Sequence, residues 1–124
     1  TAKGIFGNYY NNIPDKKLLK VAEPNEVTTG KATIYTVLTG EKIEEFVINI
    51  IKLDVDSNHK QKNILFEITD QKLLDSTGGV VQGMSGSPII QNDMIIGAVT
   101  HVVVEDATKG YGIFIKWMLE EAEN

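Results

Sequence analysis

The stretch Gly83-Met84-Ser85-Gly86-Ser87-Pro88 brackets a serine between two glycines and ends on a proline ahead of the apolar pair Ile89-Ile90. Glycine permits backbone angles closed to residues with a Cβ, so the chain can turn sharply and present one hydroxyl outward. Such a turn can also aim successive backbone N–H groups into a concavity that would hold a developing oxyanion. A serine needs both, and a base besides, to act as a nucleophile. The competing reading is a plain Gly/Ser/Pro turn between two strands, a common composition for turns. Ser87 is a rival nucleophile, but it adjoins the proline and lacks the symmetric glycine bracket.

Asp70 is the next residue of interest. In Ile64-Leu65-Phe66-Glu67-Ile68-Thr69-Asp70, period-2 alternation sets Asp70 on the face of Ile64, Phe66 and Ile68. A carboxylate on a core-side face needs a hydrogen-bond or charge partner. Either another side chain supplies it, or Asp70 caps the turn that follows. Two histidines are present. His59 falls in a polar loop, and His101 falls in an apolar strand on the side of Ile95, Val99 and Val103, which reads as packed or groove-lining. Asp54, Asp56 and Asn58 imitate the opening of a calcium loop, but His59 replaces its glycine and Leu65 its bidentate glutamate, so calcium is rejected. No cysteine is present, which excludes disulfides, thiolate nucleophiles and thiolate metal sites.

The elements that would position these residues are mainly strands. Residues 1–31 are irregular. Ala32 to Leu38 is rich in β-branched and aromatic residues, Thr39-Gly40-Glu41-Lys42 reads as a hairpin turn, and Phe46, Ile48 and Ile50 line one face of the returning strand. That strand extends through Leu53 and Val55 with a bend. Ile64–Asp70 follows, then Ile89-Ile90, a turn at Gln91-Asn92-Asp93, a strand from Met94 to Val104, and a last strand from Tyr111 to Ile115 after a polar break at 105–110. Residues 116–122 read as a short closing helix, the one helical element. Short strands with closely spaced turn signals describe an all-β barrel or sandwich occupying residues 32–124.

At 124 residues the chain suits one domain. A net charge of −5 argues against nucleic acid as the main partner. No apolar run approaches the roughly 20 residues that span a bilayer. The chain opens at Thr1-Ala2-Lys3 without a methionine, which reads as a fragment or a processed product.

Residues 83–88, then Ile89-Ile90-Gln91-Asn92 and Ile96-Gly97-Ala98-Val99-Thr100-His101-Val102, closely resemble the SpoIVB peptidases, sporulation serine peptidases of trypsin-like fold. Ile68-Thr69-Asp70, Leu73-Leu74, Thr77-Gly78-Gly79, Gln82, Gly110-Tyr111-Gly112, Trp117-Met118-Leu119 and Gly4-Ile5-Phe6-Gly7 also fit. The resemblance implies a six-stranded antiparallel barrel, the C-terminal barrel of a two-barrel serine peptidase, with a short C-terminal helix. It makes Ser85 the nucleophile and Asp70 the acid that orients the base. The N–H groups of Gly83 and Ser85 would form the oxyanion hole. Gly97, Val99, Thr100 and His101 would bind an extended peptide substrate by strand addition. No metal or organic cofactor is implied.

The family's catalytic histidine lies in the upstream barrel, before this chain begins. The expectation is therefore that these 124 residues alone are nearly inactive. By resemblance, the native protein would carry the upstream barrel, a PDZ domain and a membrane anchor. It would be exported into the space between forespore and mother cell, and would cleave itself and a regulatory membrane-protein partner. The alternative is a non-catalytic interaction module, binding an extended peptide or forming a homodimer through an exposed barrel face.

Overall fold

Alternating burial shows why the β-branched segments become strands. In β2 (Gly30–Val37), Ala32, Ile34 and Thr36 are buried while Lys31, Thr33 and Tyr35 point outward. In β3 (Ile43–Leu53), Phe46, Ile48 and Ile50 continue the same inner face. β4 (Ile64–Ile68) buries Ile64, Phe66 and Ile68. These inward rows, joined by Ile89 and Ile96, fill the interior, and Phe46, Phe66 and Phe114 are its largest side chains. Truncating a buried phenylalanine of this kind costs about 3–5 kcal/mol. The computed structural model describes residues 20–37, 42–55, 62–80, 84–103 and 105–122.

Three further strands complete the sheet: β5 (Pro88–Gln91), β6 (Met94–Val103) and β7 (Asp106–Phe114). The order β6-β5-β2-β3-β4-β7 closes on itself through a β6–β7 pairing, and every neighbour in that ring is antiparallel. The result is a closed six-strand antiparallel barrel, as expected from the sequence. A two-residue β1 (Lys20–Val21) adds in parallel to β6 at Met94 and Ile95. The β5–β6 turn is tight because Asn92 and Asp93 both take left-handed angles (φ 52° and 61°), the geometry that matches strand twist in a two-residue hairpin.

Four features depart from the sequence reading. Among the described residues, regular structure is present ahead of residue 32, as β1, a 3-10 turn at Pro24–Glu26 and the start of β2 at Gly30. The closing helix is not alone: α1 (Gln71–Thr77) precedes the serine turn, and α2 (Ile115–Ala122) ends the chain. β7 begins at Asp106, inside the polar stretch read as a break, because Asp106 and Gly110 pair with Val103 and Val102 of β6. β3 ends at Leu53 after a register shift between Ile50 and Lys52, which supplies the bend. The hairpin tip at 38–41 and the loop at 56–61, with His59, lie outside the described residues. α2 packs Met118 into a second apolar cluster with Ile95 and Ile113, and Trp117 meets Phe114 edge-on at 5.2 Å.

Candidate active site

Ser85 sits in a turn welded to β6. Ser87 N donates to Met84 O at 3.0 Å, closing the turn, and Gly86 N donates to Val99 O at 2.7 Å. Val99 N in turn donates to Ser87 O at 3.0 Å, so the turn extends β5 along the β6 edge. Gly86 takes φ +87°, where a Cβ would be strained, which explains the second glycine. Met84 and Ser87 are buried on either side of the turn, while Ser85 is half-buried. The Ser85 hydroxyl donates to Thr100 O at 3.2 Å. Among the described residues no acceptor takes the Ser85 N–H, whereas the amides of Gly86 and Ser87 are engaged. Gly83 lies outside the described residues. Ser87, the rival, is fully buried, and its hydroxyl finds no partner among the described residues. Only Ser85 offers a reachable hydroxyl in this turn.

A register shift between Val99 and His101 makes Thr100 a bulge residue opposite the serine. The bulge breaks the period-2 pattern, so His101 is exposed and pairs with Tyr111 of β7 instead of packing with Val99. Of the two sequence readings of His101, packed or groove-lining, its exposure removes the packed one. It also narrows the proposed peptide-binding strand. Gly97 pairs with Ile89 on one side and Phe114 on the other, and Val99 pairs with Gly112 and with the serine turn. Both positions have their backbone edges filled. Past the turn, His101 and exposed Val102 pair with Tyr111 and Gly110 of β7.

Asp70 is the N-cap of α1. Its Oδ1 accepts from Lys72 N at 3.0 Å and Leu73 N at 3.4 Å, and its Oδ2 accepts from Val47 N of β3 at 3.4 Å. The partner its core-side position demanded is therefore backbone N–H, the capping alternative. Ser85 leads into β5 and Asp70 follows β4, two strands that stand three steps apart by either route around the ring of six.

The route from Asp70 to the serine is α1. Lys72 Nζ donates to Glu44 Oε1 of β3 at 2.8 Å. This pair holds the Glu44 carboxyl below its ordinary range and raises the Lys72 ammonium, in both cases chiefly through that hydrogen bond. The helix ends at Gly78, whose N–H donates to Leu74 O. Thr77 Oγ1 then accepts from Gly79 N, and Val80 N donates to Ala107 O at 2.6 Å, clipping the chain to the start of β7. At Gly79 (φ +142°) a Cβ would lie 2.1 Å from Ala107 O, so no other residue fits that approach. Sequence reasoning passed over Gly79 as a positioning residue; the paired Gly78-Gly79 after Thr77 was its only signal. Among the described residues no cluster of side chains could hold a metal, and no helix is long and apolar enough to cross a membrane.

A closed six-strand antiparallel barrel with a serine turn on one strand edge and a C-terminal helix is the trypsin-like fold. Solved structures show the same fold. The active form of the Rv3671c protease from M. tuberculosis matches at TM-score 0.58 and 20% identity, over 90% of this chain and 49% of that one. An inactive form matches at 0.57 and 19%, over 90% and 56%. The inactive form of a serine-to-alanine mutant from M. tuberculosis H37Rv matches at 0.56 and 18%, over 90% and 54%. The chain thus spans about half the length of these proteins. The model of the SpoIVB peptidase S55 family matches residues 1–119, and the chain belongs to that family. No curated protein matches the sequence.

Proposed function

We propose that Ser85 is the nucleophile of a serine endopeptidase and that the chain forms its C-terminal barrel. The observation that carries this reading is the half-buried Ser85 hydroxyl, held by Thr100 O on a turn that buries its neighbour Ser87. In the reaction, Ser85 Oγ attacks the scissile carbonyl carbon and a base takes its proton. The N–H groups of Ser85 and Gly83 stabilise the oxyanion of the tetrahedral intermediate. Collapse breaks the C–N bond, the amine leaves with the proton from the base, and water hydrolyses the acyl-enzyme. An extended peptide lies along β6 beside the serine, at Thr100, His101 and Val102, by strand addition.

The family pattern supplies the base, a histidine, from upstream of this chain; here His101 is exposed and the Ser85 hydroxyl bonds Thr100 O instead, and His59 lies outside the described residues. Residues 1–124 alone are on this account nearly inactive. Family membership supports the wider role: cleavage of the protein itself and of a regulatory membrane-protein partner in sporulation signalling, from an anchored or exported position between forespore and mother cell. The PDZ domain and upstream barrel of the native chain are the partners this role implies.

The test is self-cleavage of the full-length protein, followed on gels. Ser85→Ala should abolish it and Ser87→Ala should leave it. Cleavage that survives Ser85→Ala would overturn the assignment, and the interaction module would then be the better reading.

A further inference from the structure

A groove on the outer face of the barrel takes no part in the chemistry described above. It encloses about 340 Å³ and is lined by Lys52, Asp54, Lys62, Asn63, Leu65 and Tyr111. Backbone hydrogen bonds fix its floor. Asp54 N donates to Asn63 O at 2.8 Å, and Asn63 N donates to Gly112 O of β7 at 3.0 Å. Leu65 and Tyr111 supply apolar surface, and Lys62 Nζ stands 5.4 Å from the centre of the Tyr111 ring, a cation over an aromatic face. Lys20, Lys72, Lys109 and Lys116 are each held in an ion pair. Lys52 and Lys62 are both exposed, and among the described residues neither is in an ion pair. Two ammonium groups thus converge on one groove against a single carboxylate, Asp54.

Strand register connects this groove to the serine. Lys52 pairs with Leu65, Leu65 with Tyr111, and Tyr111 with His101. Directly opposite residues of an antiparallel pair share a face. Their neighbours settle which face it is: Ile64 and Phe66 are buried in the core, and a Cβ at Gly110 would meet the Phe66 ring. Lys52, Leu65, Tyr111 and His101 therefore form one outward row across β3, β4, β7 and β6. His101 follows Thr100, whose carbonyl accepts the Ser85 hydroxyl. At about 4.8 Å per strand step the row runs roughly 14 Å from His101 to Lys52, the reach of about four extended residues.

We propose that the groove is a substrate exosite. A peptide seated at Ser85 sets an acidic side chain, within about five residues of the scissile bond, between Lys52 and Lys62, with its stem against Leu65 and Tyr111. The proposal rests on the peptidase reading above and adds a substrate class to it, peptides acidic close to the cleavage point.

The experiment takes the full-length Ser85→Ala protein, which cannot consume peptide, and follows binding of fluorescein-labelled tetraglutamate and tetraglutamine by anisotropy. Tetraglutamate should bind about tenfold tighter, and the double substitution Lys52→Ala, Lys62→Ala should remove that advantage, as two exposed ion pairs would. Lys31→Ala, on the exposed side of β2, should leave it in place. With Ser85 intact, unlabelled tetraglutamate should slow self-cleavage in wild type but not in the double variant. Fluorophosphonate labelling of Ser85 in the double variant should stay within about twofold of wild type, since the chemistry is untouched. Equal affinity for the two peptides, tetraglutamate affinity that survives the double substitution, or self-cleavage indifferent to bound tetraglutamate would overturn the exosite. The anisotropy does not involve the Ser85 hydroxyl. Self-cleavage that survives Ser85→Ala would therefore sink the peptidase reading alone, and binding would still decide whether the groove takes acidic peptide.

Discussion

At the residue scale, the contrast between Ser85 and Ser87 rests on burial and hydrogen bonding. Ser87 is fully buried with a hydroxyl that has no partner among the described residues, and an unpaired buried polar group costs free energy. Ser87→Ala should therefore melt no lower than wild type, which calorimetry would check; a large drop would show that the hydroxyl has a bonded role. Gly79 is the opposite case. Its left-handed φ and its approach to Ala107 O leave no room for a side chain. Gly79→Ala should cost about 2 kcal/mol or more in urea denaturation. The turn around Ser85 was legible from residue types alone, because glycine and proline punctuate the chain there and Gly86 takes φ +87°. The role of Asp70 was not. Alternation showed that it needed a partner, but whether backbone or imidazole supplies that partner depends on which elements come together.

At the scale of elements, the junction of α1 with β3 is the part most open to test by pH. The Glu44 carboxyl lies below its ordinary range, first because Lys72 hydrogen-bonds it and against a smaller opposing effect of lost hydration. A depressed carboxyl stabilises the fold above its unfolded value, and the contribution fades as pH falls through the folded one. Lys72, raised chiefly by the same hydrogen bond, contributes below its unfolded value and loses that contribution as pH climbs through the folded one. Wild type should therefore melt higher than Glu44→Gln at neutral pH, with the gap closing in acid below the ordinary carboxylate range. A gap independent of pH would mean that the pair does not stabilise the junction. Because the pair is exposed, 1 M salt should shrink the gap as well. α1 escaped the sequence reading because seven residues are too few to show a helical period. Its caps, Asp70 and Gly78, were visible but were weighed singly. The bulge at Thr100 was likewise hidden, since nothing in Val99-Thr100-His101 announces a lost period, and it turned His101 outward. β3, with eleven residues of near-regular alternation, was read almost to its ends.

At the scale of the whole molecule, the ring of six strands holds both residues that the family pattern pairs. The serine turn lies along one edge of β6, and Asp70 follows β4 and caps α1. His101 faces outward from β6 without reaching the serine. On the reading proposed above, the base comes from beyond this barrel; the chain spans about half the length of the Rv3671c structures. The most direct measurement of this account is fluorophosphonate labelling with mass mapping, run on residues 1–124 beside the full-length protein. The account predicts adduct on Ser85 in the full-length protein, and labelling slower by several orders of magnitude in the short chain. Equal labelling of Ser85 in both would contradict it, because the base would then have to lie within these 124 residues.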